Sequence, residues 1–192
     1  KYTLLSLVGK MVYFMGGLTT PFIVPLISRN EGANRSSTKT LYLLLLSTSI
    51  LSFIGFVAFG LFGHTTIPIL YGEKALSIVP YLIFFTLGIT AYSISNVLVK
   101  YYLVKRVYTF TVATFFLVIA QFLLISIHHS DFGSIAMVVS LVWGLHLLLI
   151  TTLHLGIKYV RIFENNFSDL LSLFTTKTER SDKFSILIFH WR

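Results

Sequence analysis

The chain has no cysteine, few charges and few prolines, and each scarcity removes a class of protein. Without cysteine there is no disulfide framework, no thiolate metal site and no cysteine nucleophile. Only 11% of its 192 residues are charged. A soluble domain averages about 25%, because its surface has to be wetted. Acid groups are scarcest of all. Glu31, Glu73, Asp131, Glu164, Asp169, Glu179 and Asp182 are the whole set, and none lies within a long apolar run. A proton or sodium relay built on embedded carboxylates is therefore not expected, and neither is paired-carboxylate acid–base chemistry. No Walker-type loop, GxSxG elbow or HExxH is present, so no nucleotide- or peptide-hydrolysing enzyme is expected.

Hydrophobic residues make up 55% of the chain, and the mean hydropathy is +0.83. Five apolar runs cover about 2–28, 40–63, 76–99, 107–127 and 132–157. Each reaches the roughly 20 residues that a helix needs to cross a hydrocarbon core. Lipid offers backbone groups no partner, so runs of this length are helical. The expected fold is an all-α bundle of five transmembrane helices over 1–160, followed by a tail over 161–192.

The net charge of +8 is placed in short loops and not on one face. That placement fits membrane orientation and excludes a nucleic-acid partner. Arg29, Arg35 and Lys39 follow the first run, while the second loop carries only Lys74. Lys100, Lys105 and Arg106 follow the third run, and the fourth loop, HHSDFGS, has no Lys or Arg. Lys158, Arg161, Lys177, Arg180, Lys183 and Arg192 follow the fifth. Basic and non-basic sides alternate, so the amino end is expected outside and the carboxyl end in the cytoplasm of a cell-membrane protein. In the tail, IFENNFSDLLSLF reads as a short surface helix, TTKTERSDK as a polar linker and FSILIFHWR as an interfacial patch. The chain starts at Lys1 and enters an apolar run at once, without a signal-peptide pattern, so a piece of a longer protein is expected.

Lys10 is the one cation set several residues inside a run. It either lines a polar cavity and meets an anionic substrate, or snorkels to the interface. His128, His129 and Asp131 cluster at a helix end, but adjacent histidines point apart and a metal needs three converging ligands, so loop polarity is expected. His146 and His154 lie about 80° apart on one helix. With Trp143 they line a cavity, or they hydrogen-bond to neighbouring helices, and packing is the favoured reading. Small and hydroxyl residues recur at helical spacing: Thr86, Thr90 and Ser93, then Thr111, Thr114 and Gln121, then Ser140, Gly144, Thr151 and His154. Such stripes mark helix contacts or a hydrated cavity. Gly16, Gly17, Pro21 and Pro25 are expected to break the first run, and Pro80 and Gly88 the third.

Three segments share an order of features with a known family. PFIVPLISRNEG ends a span in a proline, an Ile-Ser pair and a polar basic loop. IPILYGEKALSIVPYLIFFTLGI carries an aromatic, glycine and acidic turn into a helix. NVLVKYYLVKRVYTF joins a Tyr-rich end to a basic hinge and a new span. In this order they resemble Wzx-like polysaccharide and lipid-oligosaccharide flippases of the multidrug/oligosaccharidyl-lipid/polysaccharide exporter superfamily. The resemblance covers about 1–157 and implies the last five helices of a second six-helix lobe. It further implies a V-shaped transporter that flips a polyprenyl-diphosphate-linked glycan by alternating access. A cavity cation would hold the diphosphate, and Lys10 is the residue that matches. The partners it implies are membrane lipid, the lipid-linked glycan and a missing amino-terminal lobe or partner chain, with no cofactor or metal. A multidrug exporter of the same superfamily, a non-transporting membrane subunit, and an integral membrane enzyme using His128, His129 and His146 are the other readings.

Overall fold

A computed structural model describes residues 2–33, 35–128 and 131–157. Among the described residues every regular element is helical: α1 Tyr2–Gly17, α2 Thr20–Gly32, α3 Thr38–Phe56, α4 Gly63–Tyr71, α5 Val79–Val104, α6 Thr109–Ile127 and α7 Phe132–Ile157. Five stretches are long and apolar enough to cross a membrane: Thr3–Gly32, Thr38–Leu61, Glu73–Val104, Thr109–Ile127 and Phe132–Ile157. The chain is an all-α, multi-pass membrane protein. It divides into units Lys1–Thr151 and Thr152–Arg192, and of the second only the end of α7 is described. The tail segments read from the sequence lie outside the described residues.

The first run breaks after Gly17, but not at Pro25, which α2 takes in without interruption. α1 stops at Gly17, Leu18 and Thr19 turn, and α2 starts with Pro21 in its first turn, where no N–H is required. The third run does not break. Pro80 again occupies a first turn, and α5 passes through Gly88 without interruption. Gly88 serves packing instead. A Cβ there would stand 2.9 Å from the Ser140 Cα and 3.0 Å from the Val139 carbonyl oxygen, so its absence lets α5 and α7 touch backbone to backbone. The loop HTTIPILYGEK is also not a loop. α3 runs into a π-helical turn, Val57–Leu61, and α4 then takes in Pro68 before a 3-10 turn, Glu73–Ile78.

α5 is the central element. Its Leu82, Thr86, Thr90, Ser93, Ser95, Val97 and Leu98 are buried, and every other long helix packs against it. Contacts set the helix directions. The Phe85 ring lies over Gly9, and Ser93 lies against Gly16, so α1 runs parallel to α5. Thr90 Oγ1 donates to the Ser52 carbonyl at 3.4 Å, and the Thr19 and Thr48 hydroxyls hydrogen-bond, so α3 runs the other way. Tyr102 stacks on Phe110 at 3.8 Å, which folds α6 back, and Ser95 meets His146, which makes α7 parallel to α5 again.

The turn from α5 to α6 closes as a Schellman motif. The Val107 N–H donates to the Tyr102 carbonyl at 2.9 Å, and the Arg106 N–H to the Leu103 carbonyl at 3.0 Å. Arg106 holds the left-handed position, φ 59°, that glycine usually takes. With these directions Arg29, Arg35, Lys39, Lys105 and Arg106 share one end of the bundle, the basic end. Glu73, Lys74 and Asp131 share the opposite end.

Candidate functional site

On α1 the side chains sort by flank. Thr3, Ser6, Lys10, Tyr13 and Gly17 fall within an arc of about 80°, at about 100° per residue. Leu4, Leu7, Met11, Met15 and Leu18 occupy the other flank, and Leu5, Val8, Gly9, Val12 and Gly16 face the bundle. Lys10 is exposed, and with Thr3, Ser6 and Leu7 it lines a hollow of about 260 Å³. Among the described residues it makes no ion pair. Gly9 lies level with Phe85, six residues after the start of α5, so Lys10 stands about 10 Å in from that start. It is within the span, in the half away from the basic end.

The polar flank of α1 meets a second stripe on α5. Tyr92, Asn96 and Lys100 stand at i, i+4 and i+8 and are half-buried, whereas Ala91, Ser93, Ser95, Val97, Leu98 and Val99 around them are buried. The Tyr13 and Tyr92 rings stack at 5.7 Å, and Tyr92 meets Trp143 of α7 at 4.3 Å. α5 is thus the floor of a groove with α1 on one side and α7 on the other. Ser140, Gly144 and Thr151, half-buried, lie along the flank of α7 turned away from α6. Among the described residues the hydroxyls of Tyr13 and Tyr92, the Asn96 amide and the Lys100 ammonium have no hydrogen-bond partner. A polar group left bare in hydrocarbon costs several kcal/mol, so a row of four such groups needs water, a polar ligand or protein beside it.

No family model, curated protein or solved structure matches the chain. The functional reading therefore rests on this geometry.

The remaining candidates separate into packing and surface. Thr86, Thr90 and Ser93 are buried against α1 and α3, so the first stripe is a helix contact. Its hydroxyls donate to carbonyls, as from Thr86 to Leu82 at 2.7 Å and from Ser93 to Ile89 at 2.9 Å. Thr114 turns inward, whereas Thr111 is exposed and Gln121 half-buried. His146 is fully buried. Its Nδ1 lies 2.8 Å from Ser95 Oγ on α5 and its Nε2 2.9 Å from Thr114 Oγ1 on α6. It joins three helices and makes an edge contact with Trp143 at 5.3 Å, which is the packing reading and not the cavity reading. His128 is exposed, and His129 lies outside the described residues. Asp131 caps α7, accepting from the Ser134 N–H at 3.1 Å. Among the described residues no group of three or more His, Cys, Asp or Glu is placed to hold a metal.

At the basic end a polar cluster ties α2 to α5. Lys105 Nζ lies 3.2 Å from Glu31 Oε1 and 5.0 Å from the centre of the Tyr101 ring. Ser37 Oγ donates to the same Glu31 oxygen at 2.6 Å. Burial works against the Lys105 charge, but hydrogen bonding and charge attraction from Tyr101 and Glu31 outweigh it. The ammonium is held above its ordinary pKa of 10.5.

Proposed function

We propose that the chain is the carboxyl-terminal portion of a flippase that moves polyprenyl-diphosphate-linked saccharide across the cell membrane by alternating access. The basic end of the bundle lies in the cytoplasm, and an amino-terminal lobe or partner chain completes the transporter. The observation that carries this reading is the groove floored by the unpaired polar groups of Tyr92, Asn96 and Lys100 between α1 and α7, with Lys10 on the same polar flank of α1 as Tyr13. A lipid-linked saccharide has a polar head that cannot pass through hydrocarbon and a tail that does not leave it. A polar groove open on one side serves both, because the head moves along the floor while the tail stays outside.

The charges favour an anionic head. Lys100 on the groove and Lys10 on the polar flank of α1 are the basic side chains of this part of the bundle, and among the described residues no carboxylate lies between them to attract a cationic drug. An ammonium presents three donors to phosphate oxygens, and charge-assisted bonds of that kind are about twice as strong as neutral ones. In the full-length protein, Lys10→Ala is expected to lower lipid-linked glycan export about ten-fold or more at normal membrane abundance, with Lys10→Arg restoring most of it. Normal export by Lys10→Ala would make Lys10 an interface anchor and remove the cation from the mechanism.

A further inference from the structure

Lys100 sits on the groove itself and is not needed for orientation. Lys105 and Arg106 already mark the basic end, and Lys105 is paired with Glu31. Lys100 stands more than a turn inside α5, half-buried and without a partner among the described residues. The acid on the neighbouring α2, Glu31, is engaged by Lys105 and Ser37 and does not neutralise it. Asn96 lies one turn deeper on the same face and adds two amide donors, also without a partner.

We infer that Asn96 and Lys100 form a second anion-binding station at the basic end of the groove, which takes the diphosphate of a lipid-linked head before Lys10 does. The identity of the ligand rests on the flippase reading. The existence of the station does not. Lys100 lies about 31 Å along α5 from Val79 and Lys10 is level with about 10 Å, so the two cations are about 20 Å apart along the helix axis. A diphosphate is too short to reach both at once. The stations are used in turn, and the Tyr13–Tyr92 pair lies between them. Occupation from the basic end begins at Lys100, and release at the other end leaves from Lys10.

The test uses the full-length protein in vesicles, in a cysteine-free background, with Gly17→Cys as reporter. A Cβ at Gly17 meets nothing closer than Thr20 Oγ1 at 4.0 Å, and the position lies on the groove flank of α1 between the stations. A charged, membrane-impermeant thiol reagent is expected to label it, and farnesyl diphosphate added at the basic end is expected to slow labelling while farnesol does not. Lys100→Gln is expected to raise the farnesyl diphosphate needed for protection about ten-fold or more, and Lys100→Arg to preserve it. Absence of labelling without ligand, or unchanged protection in Lys100→Gln, overturns the station. Inorganic diphosphate protecting at the same concentration as the farnesyl compound would overturn its assignment to a lipid-linked ligand. Lost protection in Lys100→Gln with unchanged glycan export in both Lys10→Ala and Lys100→Gln cells supports the station and refutes the flippase. Unchanged protection with export dependent on Lys10 does the reverse.

Discussion

Two tautomers of neutral His146 satisfy every group, and the bond lengths favour the one with its proton on Nε2. The Thr114 hydroxyl donates to the Phe110 carbonyl at 2.8 Å, one turn back, so its oxygen is free to accept from the imidazole Nε2–H. Nδ1 then carries no proton and must accept. Ser95 supplies the donor by turning from its poorer bond to the Tyr92 carbonyl, three residues back at 3.0 Å. The tautomer follows from the bonds and gives each helix one link to the ring. Thr114→Val keeps the shape and strands a buried N–H, which is expected to cost about 1–3 kcal/mol. In a His146→Leu background the same change has nothing to strand, and its cost is expected to fall close to zero. Unfolding of the four members of this double-mutant cycle in detergent measures the coupling. Equal costs in both backgrounds would show that the ring does not bond to Thr114.

At the scale of elements, the tie between α2 and α5 is the contact with a definite pH dependence. The folded-state pKa of Lys105 is raised, so its contribution to stability is complete below 10.5 and is lost as pH rises through the folded value. The Glu31–Lys105 pair is thus intact throughout the physiological range. Glu31→Gln is expected to lower the midpoint of thermal unfolding at about pH 8, and the gap from the parent is expected to close toward about pH 11. A gap that persists unchanged at high pH would mean that Glu31 acts through Ser37 and not through the lysine. Element by element, the sequence is legible where apolar periodicity and charge settle the matter and illegible where packing does. The five spans and the break at Gly17 follow from composition and spacing, whereas spacing leaves Thr86, Thr90 and Ser93 open between a helix contact and a cavity until their burial decides it. Gly88 reads as a break but is a close approach, because the backbone of α7 that it admits is about fifty residues away in sequence. α4 reads as a loop because Pro68 and the polar residues hide a helix whose Ile67 is buried against Ala75 and Ile78. Tyr92, Asn96 and Lys100 carry a signal in their four-residue spacing. What spacing cannot tell is which face of α5 remains uncovered once four helices have packed around it.

For the whole molecule, helix directions set by contacts alone place the charged loops by sign. Arg29, Arg35, Lys39, Lys105 and Arg106 gather at one end, against Lys74 at the other, an excess of four. Attraction to an anionic cytoplasmic leaflet is about 1 kcal/mol per basic residue near the surface, so an excess of four favours one orientation by about 4 kcal/mol, or about a thousand-fold. In the full-length protein an Arg35→Cys reporter is expected to react only from the cytoplasm, and a Lys74→Cys reporter only from outside. Both side chains are exposed, so access does not limit the reaction. Changing Arg29, Arg35 and Lys39 to Gln reduces the excess to one, which is worth about 1 kcal/mol. If this loop sets the direction, the Lys74→Cys reporter is then expected to react in part from each side. A reporter that stays outside in the triple variant would assign the orientation to helices elsewhere in the protein. The groove would keep its direction through them, with Lys100 still at the end nearer the cytoplasm.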